Sequence, residues 1–279
     1  GQNLTTAQKN QLISDLGKYK VSSVTPVIVD ADTTFLILGI SFAFDSSATT
    51  SDKTDLESLV NTTVSNYNTT DLLNFNNPFR HSKLTGLIDD TDTSILNSTV
   101  TVTMSKLVTP ILNTNSSYTV GFNNTLYNPV SGYNAAAGGI IASTGFFLGG
   151  TTEYFFDDDG TGNLRIYYEV EAVRTYYDTE AGTVDYSNGI VKINPLSITS
   201  VGSVDGATST RFRVTAIPNS NDIVPVRNQI LEIDTTNTTI TGSVDQTTST
   251  GTGYTVTTTG TTTTTTVSTP ASTATSSSY

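Results

Sequence analysis

Between Thr33 and Asp45 the side chains alternate in a way that only an extended strand can accommodate. Leu36, Leu38, Ile40, Phe42 and Phe44 fall on one face, and Gly39, Ser41 and Ala43 on the other are small. A face this bulky must be covered. The next segment supplies the cover: from Ser51 onward Leu56, Leu59, Val60, Val64 and Tyr67 recur at helical spacing, behind acidic first-turn residues Asp52 and Asp55. The two periodicities predict that Leu36, Leu38, Ile40, Phe42 and Phe44 pack against Leu56, Leu59, Val60 and Val64.

Flanking segments extend this unit. Thr5 to Leu16 reads as a short helix with Thr5 or Thr6 as N-cap and Gly17 as C-cap. Val21 to Val29 reads as a strand. A second short helix is expected around Phe79 to Asp89, from Leu84, Leu87 and Ile88, and a strand from Ile95 to Val108 with Val100, Val102 and Met104 on one face. Residues 1–110 are therefore expected to form an α+β domain, helices layered on a small sheet.

After Pro110 the pattern changes to short β runs between turn signals, which predicts a mainly β domain over residues 111–234. Its clearest unit is a hairpin, Thr152 to Phe156 and Asn163 to Val170, around a turn in which Gly160 and Gly162 can take positive φ. Further strands are expected at Val173 to Tyr177, Thr183 to Tyr186, Ile190 to Ile193 and Arg211 to Ile217, punctuated by Gly182, Gly189 and Pro195. Residues 235–279 are a Thr-rich low-complexity tail, in which Asp245 is the last charged side chain. Such a tract buries too little apolar surface to fold alone, so it is expected to be flexible or extended against a neighbouring subunit.

Composition narrows the function classes. Of 279 residues only 14% are charged, and 25 acidic against 13 basic residues give a formal net charge of −12. Without a Lys/Arg cluster to follow phosphates, nucleic acid is not an expected partner. Cysteine is absent, which removes disulfides and thiolate metal sites. No apolar run reaches the roughly 18 residues of a membrane span, so no membrane insertion is expected. The start, Gly1 to Asn10, is unlike a signal peptide, and the sole methionine is Met104; a processed or truncated chain, or an intracellular one, is expected.

No motif carries specific chemistry. The Asp157-Asp158-Asp159-Gly160-Thr161-Gly162-Asn163 run invites a calcium reading, but its spacing is not that of an EF-hand loop and it fits a hairpin turn. Asp89, Asp90 and Asp92 read as a solvated cap between a helix and a strand. His81, the only histidine, lies between Arg80 and a lysine at position 83 without a second histidine or a cysteine, short of what a triad or metal site requires. Gly138-Gly139 and Gly149-Gly150 lack the Lys-Ser/Thr of a phosphate loop and read as turns. No catalytic residue, metal ligand, cofactor or small-molecule substrate is assigned.

Three long stretches carry a resemblance. They are Lys18 to Asp45 with Leu59 to Asn113; Ser143 to Glu169; and Gly182 to Ile198 with Asn221 to Asp234. Together they resemble the C-terminal half of the baseplate wedge subunit, gene product six, of T-even-type contractile phages and their cyanophage relatives. The resemblance implies a non-enzymatic structural subunit of the virion's tail baseplate, assembled in the host cytoplasm. It also implies contacts with further copies of the chain and with other wedge proteins, in a ring around the hub.

The β domain and the segment Asn221 to Asp234 are expected to contribute to a subunit interface, in a homodimer or against another wedge protein. That segment places Ile223, Val224, Val226, Ile230, Leu231 and Ile233 just before a tract that cannot bury them, and Pro225 argues for an edge strand or docking arm. The same composition also suits a strand that closes the β domain's own core. Two other functions stay open. A tail-fibre or surface adhesin binding carbohydrate or host protein is compatible with Tyr167-Tyr168 and Tyr176-Tyr177, and a cell-wall hydrolase would have to use acidic residues.

Overall fold

The structure is a computed structural model, and it describes residues 5–19, 28, 31–131 and 139–245. Among these residues three α-helices and fifteen strands follow in chain order. The helices are α1 (Thr6–Gly17), α2 (Lys53–Tyr67) and α3 (His81–Asp89). The first strands are β1 (Asp32–Phe44), β2 (Ile95–Val108) and β3 (Asn115–Gly121). Then come β4 (Ile141–Ser143), β5 (Phe146–Phe147), β6 (Glu153–Asp158), β7 (Asn163–Val170), β8 (Val173–Asp185) and β9 (Ile190–Ser197). The remainder are β10 (Ser200–Val201), β11 (Ser203–Val204), β12 (Ala207–Thr208), β13 (Phe212–Ala216), β14 (Gln229–Ile233) and β15 (Thr239–Val244).

Thr5 caps α1 through a reciprocal box with Gln8, as its hydroxyl chemistry allows. The helix runs through Gly17, and Lys18, not Gly17, is the C-cap. An equivalent Asp52/Asp55 box opens α2, one residue after the expected start, and a π-helical turn over Asn68–Leu72 extends its end. The strand expected over Val21 to Val29 lies, except for Ile28, outside the described residues.

Strand β1 buries Leu36, Leu38, Ile40, Phe42 and Phe44 as its alternation requires. These join Leu56, Val60 and Val64 of α2 and Leu84 and Ile88 of α3 in one buried cluster. Leu59 corrects the expected packing: it is 43% exposed. Its neighbours Leu56, Val60 and Val64 already fill the inward stripe, and position 59 turns off it. Leu87 is turned outward on α3 in the same way.

The sheet is mainly antiparallel and large, thirteen strands with the path β14-β1-β2-β13-β4-β6-β7-β8-β9-β3. Strand β2 pairs antiparallel with β1, Leu38 opposite Val102 and Leu36 opposite Met104. Strands β13, β14 and β15 return from beyond Pro110 to pair with β2 or β1. Both β14 and β15 run parallel to β1, end to end along its free side. The first residues of the Thr-rich tract therefore lie against this chain's own sheet as β15, and residues 246–279 lie outside the described ones.

Two expected breaks are absent. Strand β8 continues through Gly182, where an added Cβ would stand 2.1 Å from the Lys192 carbonyl oxygen. The glycine permits a close strand approach and does not mark a turn. Strand β9 likewise continues through Pro195, which sits where its register with β3 shifts between Ser116 and Tyr118. A bulge tolerates the missing proline donor that a regular ladder would not.

Candidate interaction surfaces

The segment Asn221 to Asp234 is sewn to its own chain. Phe79 and Ile223 exchange backbone hydrogen bonds of 2.9 and 3.1 Å. Asp222 accepts from the His81 backbone N–H and from the Arg80 guanidinium, both at 2.9 Å. These two donors, the His81 N–H first, hold the Asp222 carboxyl below the usual carboxylate range. The Asn124 side chain accepts from the Val224 N–H and donates to its carbonyl. Gln229, fully buried, donates to the Thr34 hydroxyl at 2.6 Å.

This stitching divides the six candidate contact residues. Leu231 and Ile233 are buried within the chain because β14 is a strand of the sheet and its alternate side chains enter the core, and Ile223, ahead of β14, is buried where it bridges to Phe79. They are thereby withdrawn from any outer surface. Val224 is 53% and Val226 41% exposed, and Ile230 is half-buried on the opposite face of β14. Val226 borders an open depression of about 420 Å³ whose walls are polar, formed by Asn123, Asn124, Ser187 and Asn188.

The acidic run divides too. Asp159 alone caps the turn: its carboxylate accepts from the backbone N–H groups of Thr161, Gly162 and Asn163 and from the Thr161 hydroxyl and the Asn163 amide. Burial pushes its pKa up, but the Thr161 and Asn163 hydrogen bonds together outweigh this and bring it down to about 2. Asp157 and Asp158 belong to β6 and are buried, which corrects their placement in the turn. Asp158 accepts from the Ile141 N–H and the Tyr186 hydroxyl. Burial, and then Asp158 itself, raise the Tyr186 pKa above the phenol range.

Asp157, only 1% exposed, is the centre of a charged and aromatic cluster. Arg165 binds it through Nε at 2.8 Å and Nη2 at 3.2 Å, Arg174 through Nη1 at 3.1 Å, and Tyr176 through its hydroxyl at 3.0 Å. The guanidinium of Arg165 lies over the Tyr176 ring and that of Arg174 over the Tyr167 ring. Phe155, Tyr167 and Tyr176 form a ladder across β6, β7 and β8. On the other face Tyr154 contacts Tyr168 and the exposed Tyr177. Of each tyrosine pair, then, one member faces each side of the sheet.

Elsewhere the titratable groups serve local structure. The His81 ring Nε2 lies 2.9 Å from the Val100 carbonyl oxygen. Asp92 accepts from the Ser94 N–H and hydroxyl between α3 and β2. Among the described residues no group of three His, Asp or Glu side chains is placed to hold a metal ion, and no helix is long and apolar enough to cross a membrane. Sequence reasoning missed the Asp157 cluster. Its available signal was Arg165, two residues into β7 and directly opposite Asp157 once the hairpin closes.

The chain was also compared with known proteins. Residues 32–107, which run from β1 through α2 and α3 into β2, match the family described as baseplate structural protein gp6, C-terminal domain III. The resemblance read from the sequence is thus supported over this segment, which is less than half of the chain. No curated protein matches the chain.

Proposed function

We propose, from the match of residues 32–107 to a gp6 C-terminal domain, that this chain is a structural component of a phage tail baseplate. That match is the observation that carries the reading. The proposed role is mechanical: to present rigid sheet surfaces to other baseplate wedge proteins and to further copies of itself, in a ring around the hub of a contractile tail. On this reading assembly takes place in the host cytoplasm, catalysis is not part of the role, and no cofactor is needed. Val224, Val226 and Ile230 are proposed as the part of the 221–234 segment that meets a neighbouring baseplate protein.

Purified tails of a phage that encodes the chain provide the test. Antibody labelling and protein mass spectrometry should place the chain at the baseplate end; its absence from intact tails would refute the reading. The exposed Tyr177 beside Tyr154 and Tyr168 favours one second reading, an adhesin binding carbohydrate or host protein. Binding of the isolated chain to host cells or a glycan array, lost in Tyr177→Ala, would support that alternative.

A further inference from the structure

The β7–β8 hairpin outruns the sheet that carries it. Strand β6 pairs with β7 up to Tyr167 and β9 with β8 from Gly182 onward, so among the described residues 168–175 pair only with each other. Glu169 to Arg174 are all exposed. Two strands alone are marginally stable in water, and this pair is steadied from one face, where Arg174 and Tyr176 bind Asp157 and Arg174 lies over the Tyr167 ring.

The opposite face is apolar and open to water. Val170 lies across from Val173, 51% and 65% exposed, and Tyr168 across from Thr175, with Tyr177, 59% exposed, beside Tyr154. The turn between the valines is Glu171-Ala172, with φ of 50° and 62°. A two-residue turn with both φ positive is best served by asparagine and glycine, and side chains with a Cβ are strained in it. A hairpin end chosen for stability alone would carry polar residues on an Asn-Gly turn; this one carries valines on a strained turn. Two local rules are broken at one place, as happens where side chains serve a contact.

We infer that this face and tip, through Val170, Val173 and Tyr177, dock into an apolar recess rimmed by lysine or arginine on a different baseplate protein. Charge selects the partner. Glu169, Glu171, Asp178 and Glu180 are exposed along the hairpin, and the segment's one cation, Arg174, is turned back onto Asp157. A second copy of this chain is a poor match. It brings the same net charge of −12, and most of its 13 basic residues are held in ion pairs with its own carboxylates. The inference rests on the proposed baseplate role and names a surface and the class of neighbour that fits it.

The test uses tails of a phage that encodes the chain, assembled with p-benzoylphenylalanine in place of Val173, irradiated, and analysed by mass spectrometry of the linked peptides. The expected product joins this chain to a segment of another baseplate protein that contains lysine or arginine. In tails assembled from mixed wild-type and variant chains, Val170→Ser with Val173→Ser, and separately Glu171→Lys, should be under-represented at least about tenfold. Their thermal melts should be unchanged, because all three side chains are exposed. Tails that lack the chain altogether would overturn this inference together with the baseplate reading. Tails that contain it, but show no link from position 173, a link only to a second copy, or variants incorporated as well as wild type, would overturn the docking surface and leave the baseplate reading standing.

Discussion

Replacing Phe42 by alanine probes the joint between β1, the helical layer and β15. The ring is 2% exposed, stands 6.2 Å from that of Phe44, and has Gly242 of β15 against its far edge. The fit there is close, since a Cβ on Gly242 would lie 2.7 Å from the Phe42 Cζ. A phenylalanine side chain buries about 150–250 Å², which at about 25 cal/mol per Å² corresponds to roughly 4–6 kcal/mol as an upper bound. Strands β1 and β15 are held by backbone pairing and cannot collapse fully into the space left behind, so a cost of about 3–5 kcal/mol is expected. For a domain of this size that lowers Tm by roughly 6–20 °C. Leu59→Ala, on the outer side of α2, should cost under about 0.5 kcal/mol. Urea unfolding of the two variants side by side is the assay. A Phe42→Ala loss below about 0.5 kcal/mol, or a Leu59→Ala loss equal to it, would refute the assigned register.

Asp157→Ala should cost about 3–5 kcal/mol in urea unfolding, because it leaves the buried Arg165 guanidinium without its carboxylate. Arg174→Ala should cost less, since Arg174 is partly in water and Arg165 still pairs with Asp157. Asp159 and Asp185 both have folded pKa values of about 2, below the ordinary 3.8, so the unfolded chain binds their protons first. Their stabilising contribution is present above pH 3.8 and is lost as pH falls through about 2. Thermal melts between pH 5 and 2 should flatten in Asp159→Asn with Asp185→Asn; an unchanged slope would refute the linkage. Calcium should leave the melt unchanged, because five protein donors already occupy the Asp159 carboxylate; a shift abolished by Asp159→Ala would restore a cation site. Limited proteolysis should yield one resistant core spanning Pro110, since β2 and β13 pair across it; two resistant fragments meeting near residue 110 would instead support separate domains.

Local periodicity made several elements legible without coordinates. A period of two between Leu36 and Phe44 admits only a half-buried strand, and the spacing of Leu56, Val60 and Val64 admits only a helix lying on it. Cap chemistry likewise marks Thr5 and the start of α2, and glycines mark the β6–β7 turn, because these choices are settled by neighbours a few residues away. Within the candidate surface, edge-strand character was readable from Pro225 and the apolar run after it. Which three of the six apolar residues turn inward was not, because distant partners fix it: Phe79 for Ile223, and β1 for the two faces of β14.

Only the tertiary structure could decide the long-range pairings. Nothing near Gln229 in sequence announces that it reaches Thr34, or that β14 and β15 both lie parallel along β1, since parallel neighbours are brought together by chain distant in sequence. Asp157 illustrates the same limit. In sequence it is one of three successive aspartates before a glycine, equivalent to the other two by composition. Closing β6 on β7 sets it opposite Arg165, and β8 then brings Arg174 and Tyr176 over it, so that a residue with the composition of a turn becomes a buried charge held by two cations.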